Sequence, residues 1–162
     1  MNAVVNTYSL LRGSAVRAIA TGAVIAGVLD AIFAVIVYVF VLRAESVIGF
    51  LQYIASGLLG AVAFSGGLLT AGLGAAIHFF IAFAFATLYY VVSRRVDILS
   101  SHAVPVGLLY GAAIWLFMDL IVLPLTGTPK SPFNAALFVS FLLDHAFFVG
   151  LPIALAVRRY AR

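Results

Sequence analysis

Five side chains able to carry charge or hold a cation stand among apolar neighbours: Asp30, His78, Asp119, Asp144 and His145. A charged residue at the centre of a membrane span costs about 2.5 to 3.5 kcal/mol on insertion scales. These groups are therefore expected to face the interior of a helix bundle, paired or protonated. Helical spacing agrees. Gly66, Thr70, Gly74, His78, Ala82 and Ala86 recur every fourth residue, as do Gly22, Ala26, Asp30 and Ala34, and also Gly107, Gly111, Trp115 and Asp119. Each polar group thus shares a stripe with small residues that let a second helix come close. At a rise of about 1.5 Å per residue, Asp30, His78, Asp144 and His145 fall near one mid-membrane depth, with Asp119 in the outer half.

A polar intramembrane site of this kind suits a proton, a cation or a small solute. The plainer reading is packing glue, since hydrogen bonds between membrane helices contribute only about 0.6 kcal/mol on average. His102, following Arg94 and Arg95, reads as a solvated loop residue. The sequence has no Gly-x-Ser-x-Gly, His-Glu-x-x-His, P-loop or dinucleotide fingerprint. No catalytic residue is assigned and an enzyme is not expected. The absence of cysteine excludes disulfides, thiolate metal sites and covalent haem attachment. No resident cofactor or metal is expected, with haem or metal ligation by His78 and His145 as an alternative.

The elements that must position these groups are legible in composition. With 65% hydrophobic and 9% charged residues, the chain departs far from a soluble domain, which carries roughly 25% charged residues. Its mean hydropathy is +1.24. The expected class is an all-α membrane protein forming a single membrane domain over residues 1–162. The run from Ala18 to Leu42 is too long for a signal-peptide core and reads as a retained span. Ser46 to Val92 has no charged residue in 47 positions, too many for one span.

Arginine placement chooses how that stretch divides. Spans at about 18–42, 68–92, 104–125 and 134–157 put Arg12, Arg17, Arg94, Arg95, Arg158, Arg159 and Arg162 on one side, and Arg43 and Lys130 on the other. Seven against two satisfies the positive-inside rule; a crossing at 47–65 would turn this into three against six. The expectation is a four-transmembrane-helix bundle with both termini cytoplasmic. Residues 47–65 form an additional interfacial or re-entrant helix between the first and second spans, packed as a lid over the outer end. The net charge of +4 has its source in these flanking arginines, so nucleic acid is not an expected partner. The lipid bilayer is one, and a second copy or another membrane protein could dock on the small-residue stripes. Tyr89 and Tyr90 fit an interfacial belt beside Arg94, Pro124 should end the third span and Pro152 should kink the fourth.

The stretch His78-Phe-Phe-Ile-Ala-Phe-Ala-Phe-Ala-Thr-Leu-Tyr-Tyr-Val-Val92, followed by Gly107-Leu-Leu, Pro124-Leu-Thr-Gly-Thr-Pro129, and His145 ahead of Arg158-Arg159, resembles the YagU-like family of small bacterial inner-membrane proteins. The likeness covers roughly Gly74 to Arg159. It implies a helical bundle in a bacterial inner membrane, draws attention to His78, His145 and the turn from Pro124 to Pro129, and supplies no activity. The functional expectation is a non-enzymatic multi-pass protein that binds or moves a proton, cation or small solute at the Asp/His site. The alternatives are a haem or metal protein using His78 and His145, and an accessory subunit of a membrane complex.

Overall fold

The structure is a computed structural model that describes residues 2–43, 46–130 and 132–160, with side chains from Ser14 onward. Glu45, Arg162 and the side chain of Arg12 lie outside the described residues. Among those described, every regular element is helical. Helix α1 is Asn2–Val35, prolonged by a π-helical stretch Ile36–Val41. Helix α2 is Val47–Leu59 with a 3-10 tail Gly60–Ser65, and α3 is Gly67–Ser93. A single-turn helix, Ile98–Ser101, links α3 to α4, which comprises Ala103–Phe117, a π-helical stretch Met118–Val122 and a last turn Leu123–Leu125. Helix α5 joins Ala135–Asp144, a π-helical stretch His145–Gly150 and Leu151–Tyr160.

Local chemistry explains several of these boundaries. The Ser46 hydroxyl accepts from the Gly49 amide at 3.0 Å and opens α2; the Asn134 side chain accepts from the Leu137 amide at 3.1 Å and opens α5. Two of the three wide turns end within two residues of a proline, Pro124 or Pro152. Proline offers no amide hydrogen to the carbonyl four residues back, so the helix loses its regular ladder there and admits an extra residue. Pro124 therefore widens and finishes α4, and at Pro152 the expected kink takes the form of a wide turn just upstream.

All five helices contain a stretch long and apolar enough to cross a bilayer: Ser14–Val41, Val47–Ser65, Gly67–Ser93, Ala103–Leu125 and Ala135–Tyr160. Large apolar side chains such as Phe40, Val62, Leu69, Phe80, Leu109 and Leu125 point outward, a surface suited to lipid rather than water.

Neighbouring long helices run antiparallel. Gly22 of α1 lies against Ile153 and Ala156 of α5, while Asp30 lies beside His145. Gly27 of α1 meets Phe79 and Ala82 of α3, and Asp30 meets His78. Tyr110 of α4 stacks near Tyr89 of α3, and Phe117 near Phe85. Gly107 of α4 lies on Leu151 and Ala154 of α5, and Trp115 on Phe141. Because α1 and α3 are antiparallel, α1 finishes and α3 begins at the same end of the bundle, the end that carries Lys130. Helix α2 packs there: Phe50 on Tyr38, Gln52 donating to the Gly67 carbonyl at 3.1 Å, and the Gly57 carbonyl accepting from the Gly127 amide at 3.1 Å. The opposite end gathers the exposed Arg17, Arg94, Arg95, Arg158 and Arg159.

Toward that arginine end the bundle is a close-packed core of Ala18, Ala23, Ala86, Ala103, Ile153, Ala154 and Val157 around Tyr89. Tyr89 is only 1% exposed and its hydroxyl donates to the Leu99 carbonyl, so it belongs to the core and not to an interfacial belt. Its phenol lies where the α3–α4 link folds under the bundle, a position that the adjacent Arg94 could not foretell.

Glycines set two of the contacts. A Cβ on Gly74 would collide with the Leu51 carbonyl of α2, and one on Gly111 with the His145 carbonyl of α5. Bulk at Gly111 must push α4 off the wide turn of α5. We expect Gly111→Val to lower stability by about 1–3 kcal/mol, whereas Gly72→Ala, which meets no atom within 4 Å, is neutral or stabilising. Thermal unfolding in detergent checks this; a Gly111→Val protein as stable as the parent would contradict the packing.

Candidate functional site

The small-residue stripes bring three helices together at mid-bundle, and the polar groups within the stripes meet there. Asp30 extends from α1, His78 from α3, and Asp144 and His145 from α5. His78 Nε2 lies 2.8 Å from the Gly27 carbonyl oxygen. A carbonyl only accepts, so Nε2 carries the hydrogen, and in the neutral ring the lone pair sits on Nδ1. That nitrogen faces Asp30 Oδ2 at 3.8 Å. On the other side of the carboxylate, His145 Nδ1 lies 4.0 Å from Asp30 Oδ1 and 3.1 Å from Asp144 Oδ2. His145 Nδ1 also lies 3.1 Å from the Phe141 carbonyl oxygen.

On a regular helix two consecutive side chains diverge by about 100°, so Asp144 and His145 would not normally address one point. Here both reach the Asp30 side at the point where the wide turn of α5 begins. Wide turns of this kind recur at functional sites. At the turn itself Gly107, Gly111 and Gly150 bring the backbones of α4 and α5 together; a Cβ on Gly150 would meet the Gly107 carbonyl and the Gly111 amide. Asp30, Asp144 and His145 each place one ligand atom within 4.8 Å of the others.

Asp144 is the most enclosed of the group, at 2% exposure, and its Oδ1 has no hydrogen-bond partner among the described residues. The Trp115 ring lies 5.1 Å from the His145 ring and stacks on Phe141, and its buried Nε1 is likewise unpartnered. Two orphaned polar atoms therefore border one centre. An unsatisfied buried polar atom costs about 1–3 kcal/mol.

Two cavities converge on this centre. One, of about 580 Å³, runs from the Lys130 end past Asp119, Tyr38 and Tyr53. The other, of about 570 Å³, is an apolar cleft between α3 and α4, walled by Ile81, Phe85, Ile114 and Met118. Both are lined by Asp30, His78, Trp115 and His145. Asp119 is thus on the wall of the vestibule and outside the close cluster; its place in the Trp115 stripe did not carry it to the same depth. His102 is exposed, and its ring Nδ1 lies 3.0 Å from the Ser101 hydroxyl, away from the cluster.

Trp115, placed by spacing on the stripe of Gly107, Gly111 and Asp119, and Thr128, within the Pro124 to Pro129 turn, both line the site, although neither was given a role there. Tyr38 and Tyr53 gave no signal of a site, because only the folding of α2 over the end of the bundle brings them together. Compared with protein-family models, with curated proteins and with solved structures, the chain finds no match.

Proposed function

We propose that this chain is a four-crossing membrane protein that takes a small cation, a proton or a metal ion, from the Lys130 face into the Asp30, His78, Asp144 and His145 centre. The observation that carries this reading is the meeting of Asp30, His78 and His145 from three helices at the floor of a vestibule open at one end, with the enclosed Asp144 carboxyl behind His145 and a close-packed core beneath them. Carboxylates at membrane depth attract cations and repel anions, and low dielectric on the apolar side strengthens that preference. The lone Lys130 at the mouth is offset by Asp119 on the vestibule wall.

The topology has two supports. Helices α1 and α3 are antiparallel, which requires α2 to start and finish on one side. The arginines then fall on the other side, the cytoplasmic side by the positive-inside rule. Helix α2 acts as a re-entrant lid whose Tyr53 and Gly57 reach the centre's approach while its polar contacts stay at the Lys130 end. The resemblance to YagU-like proteins supports a bacterial inner membrane. Haem ligation is less favoured: His78 Nε2 is held by the Gly27 carbonyl, and His78 Nδ1 and His145 Nδ1 both turn to Asp30, so an iron between the rings would have to displace that carboxylate.

With no native cysteine, single replacements report sidedness cleanly. Lys130→Cys and Ser65→Cys should both react with an impermeant maleimide in intact cells, and Arg159→Cys only after lysis. A Ser65→Cys that labels solely after lysis would mean that α2 crosses, and the topology would fall. For activity, the purified protein in vesicles carrying interior pH-sensitive and metal-sensitive dyes should pass one class of cation. Asp30→Asn should cut that flux at least tenfold and Asp119→Asn by a smaller factor. A parent protein that passes neither would end the proposal.

A further inference from the structure

Donor geometry and charge at the centre narrow the class of cation. Asp30 Oδ2 stands 3.8 Å from His78 Nδ1 and Asp30 Oδ1 stands 4.0 Å from His145 Nδ1. Both separations exceed a hydrogen bond, yet both are below about 4.2 Å, the span of two metal–ligand bonds of roughly 2.1 Å. His145 Nδ1 and Asp144 Oδ2, at 3.1 Å, already have the spacing of adjacent ligands on one ion. His78 has the tautomer that a ligating imidazole needs. Its Nε2 hydrogen is given to the Gly27 backbone carbonyl, which fixes the ring and leaves the Nδ1 lone pair directed at a carboxylate oxygen, acceptor against acceptor. Asp144 Oδ1, buried and without a partner, is a further acceptor with nothing to accept from among the described residues.

We infer that Asp30, Asp144 and His145, whose ligand atoms lie within 4.8 Å of one another, form a binding site for one divalent transition-metal ion of the zinc and manganese type, completed by His78 from the far side of Asp30 once that carboxylate turns. The inference rests on the reading of the centre as a cation site and names its cargo. Two carboxylates and two neutral imidazoles sum to a charge of minus two, so a divalent ion makes the assembly neutral at a depth where an uncompensated charge is costly. Mixed imidazole and carboxylate donors suit zinc, manganese and ferrous ions. Calcium prefers six to eight oxygens, and cuprous ion prefers sulfur, of which the cysteine-free chain offers no thiolate. On binding, the His145 hydrogen that Nδ1 offers to the Phe141 carbonyl and Asp144 Oδ2 is lost from Nδ1 while Nε2 takes one up, any proton on the carboxyls is released to water, and the Asp30 carboxylate closes on the ion by side-chain rotation.

The test uses untagged full-length protein in lipid nanodiscs, titrated with cobalt(II) as a spectroscopic probe and with zinc(II) in competition. The parent should bind one cobalt per chain with visible ligand-field bands, and zinc should displace it. Asp144→Asn and His78→Ala should each weaken cobalt binding at least tenfold, while Asp119→Asn, on the vestibule wall, should leave it unchanged. Asp30→Glu, which keeps the carboxylate, should retain a shifted spectrum and guards against loss by misfolding. A folded parent that holds no stoichiometric cobalt or zinc, or whose binding survives both Asp144→Asn and His78→Ala, overturns the inference. If the parent passes protons in an Asp30-dependent manner and binds no metal, this inference falls and the proposed function stands. Metal bound at the centre without any flux gives the reverse.

Discussion

The backbone contact between α4 and α5 at Gly107, Gly111 and Gly150 is the constraint on which the centre depends. Membrane helices gain little from burying apolar surface against one another, because lipid is as apolar as the neighbouring helix; close approach and packing hold them instead. With no side chain between them, α4 sits directly on the wide turn of α5, where the His145 carbonyl lies under Gly111. That support lies directly beside Asp144 and His145, at the start of the wide turn where both address Asp30.

The same logic explains why polar groups are affordable at this depth. The imidazoles are matched by partners: the Gly27 carbonyl of α1 for His78, the neighbouring Asp144 on the same helix for His145, and Trp115 of α4 with Phe141 of α5 as an aromatic wall around the His145 ring. The half of the bundle toward the arginines is filled by alanines and by Ile153 and Val157, and the Lys130 half holds the vestibule. This asymmetry follows from residue size, since alanine stripes close helices together in one half, whereas tyrosines, prolines and the α4–α5 link prop them apart in the other.

Helix α2 shows how a very apolar segment can be held without a partner on every side. Its Gln52 side chain donates to the Gly67 carbonyl and lies 3.3 Å from the Thr70 hydroxyl, and Thr70 in turn donates to the Ala63 carbonyl at 2.6 Å. These bonds satisfy backbone at the tight Gly66–Gly67 link, where Gly67 has a φ of +57° that a side chain would strain. Backbone away from regular helix is tolerated at membrane depth where protein satisfies it in this way.

Composition and periodicity by themselves determined that this is a helical membrane protein, which stretches are apolar enough to span, that Asp30, His78 and Asp119 lie on small-residue stripes, and that Asp119 stands apart in depth from Asp30, His78, Asp144 and His145. Those properties depend on local hydropathy and on the helical repeat, both of which are written along the chain. Tertiary structure alone decided how far each helix is rotated about its axis, and so that Asp30, His78, Asp144 and His145 meet and that Trp115 joins them. It also decided that α1 and α3 are antiparallel, a matter for which the sequence offered only the count of arginines. The physical reason is the same in each case. Helix rotation, the winding at a proline and the folding of α2 over the bundle are set by contacts between residues far apart in the chain, and no local pattern encodes the partner.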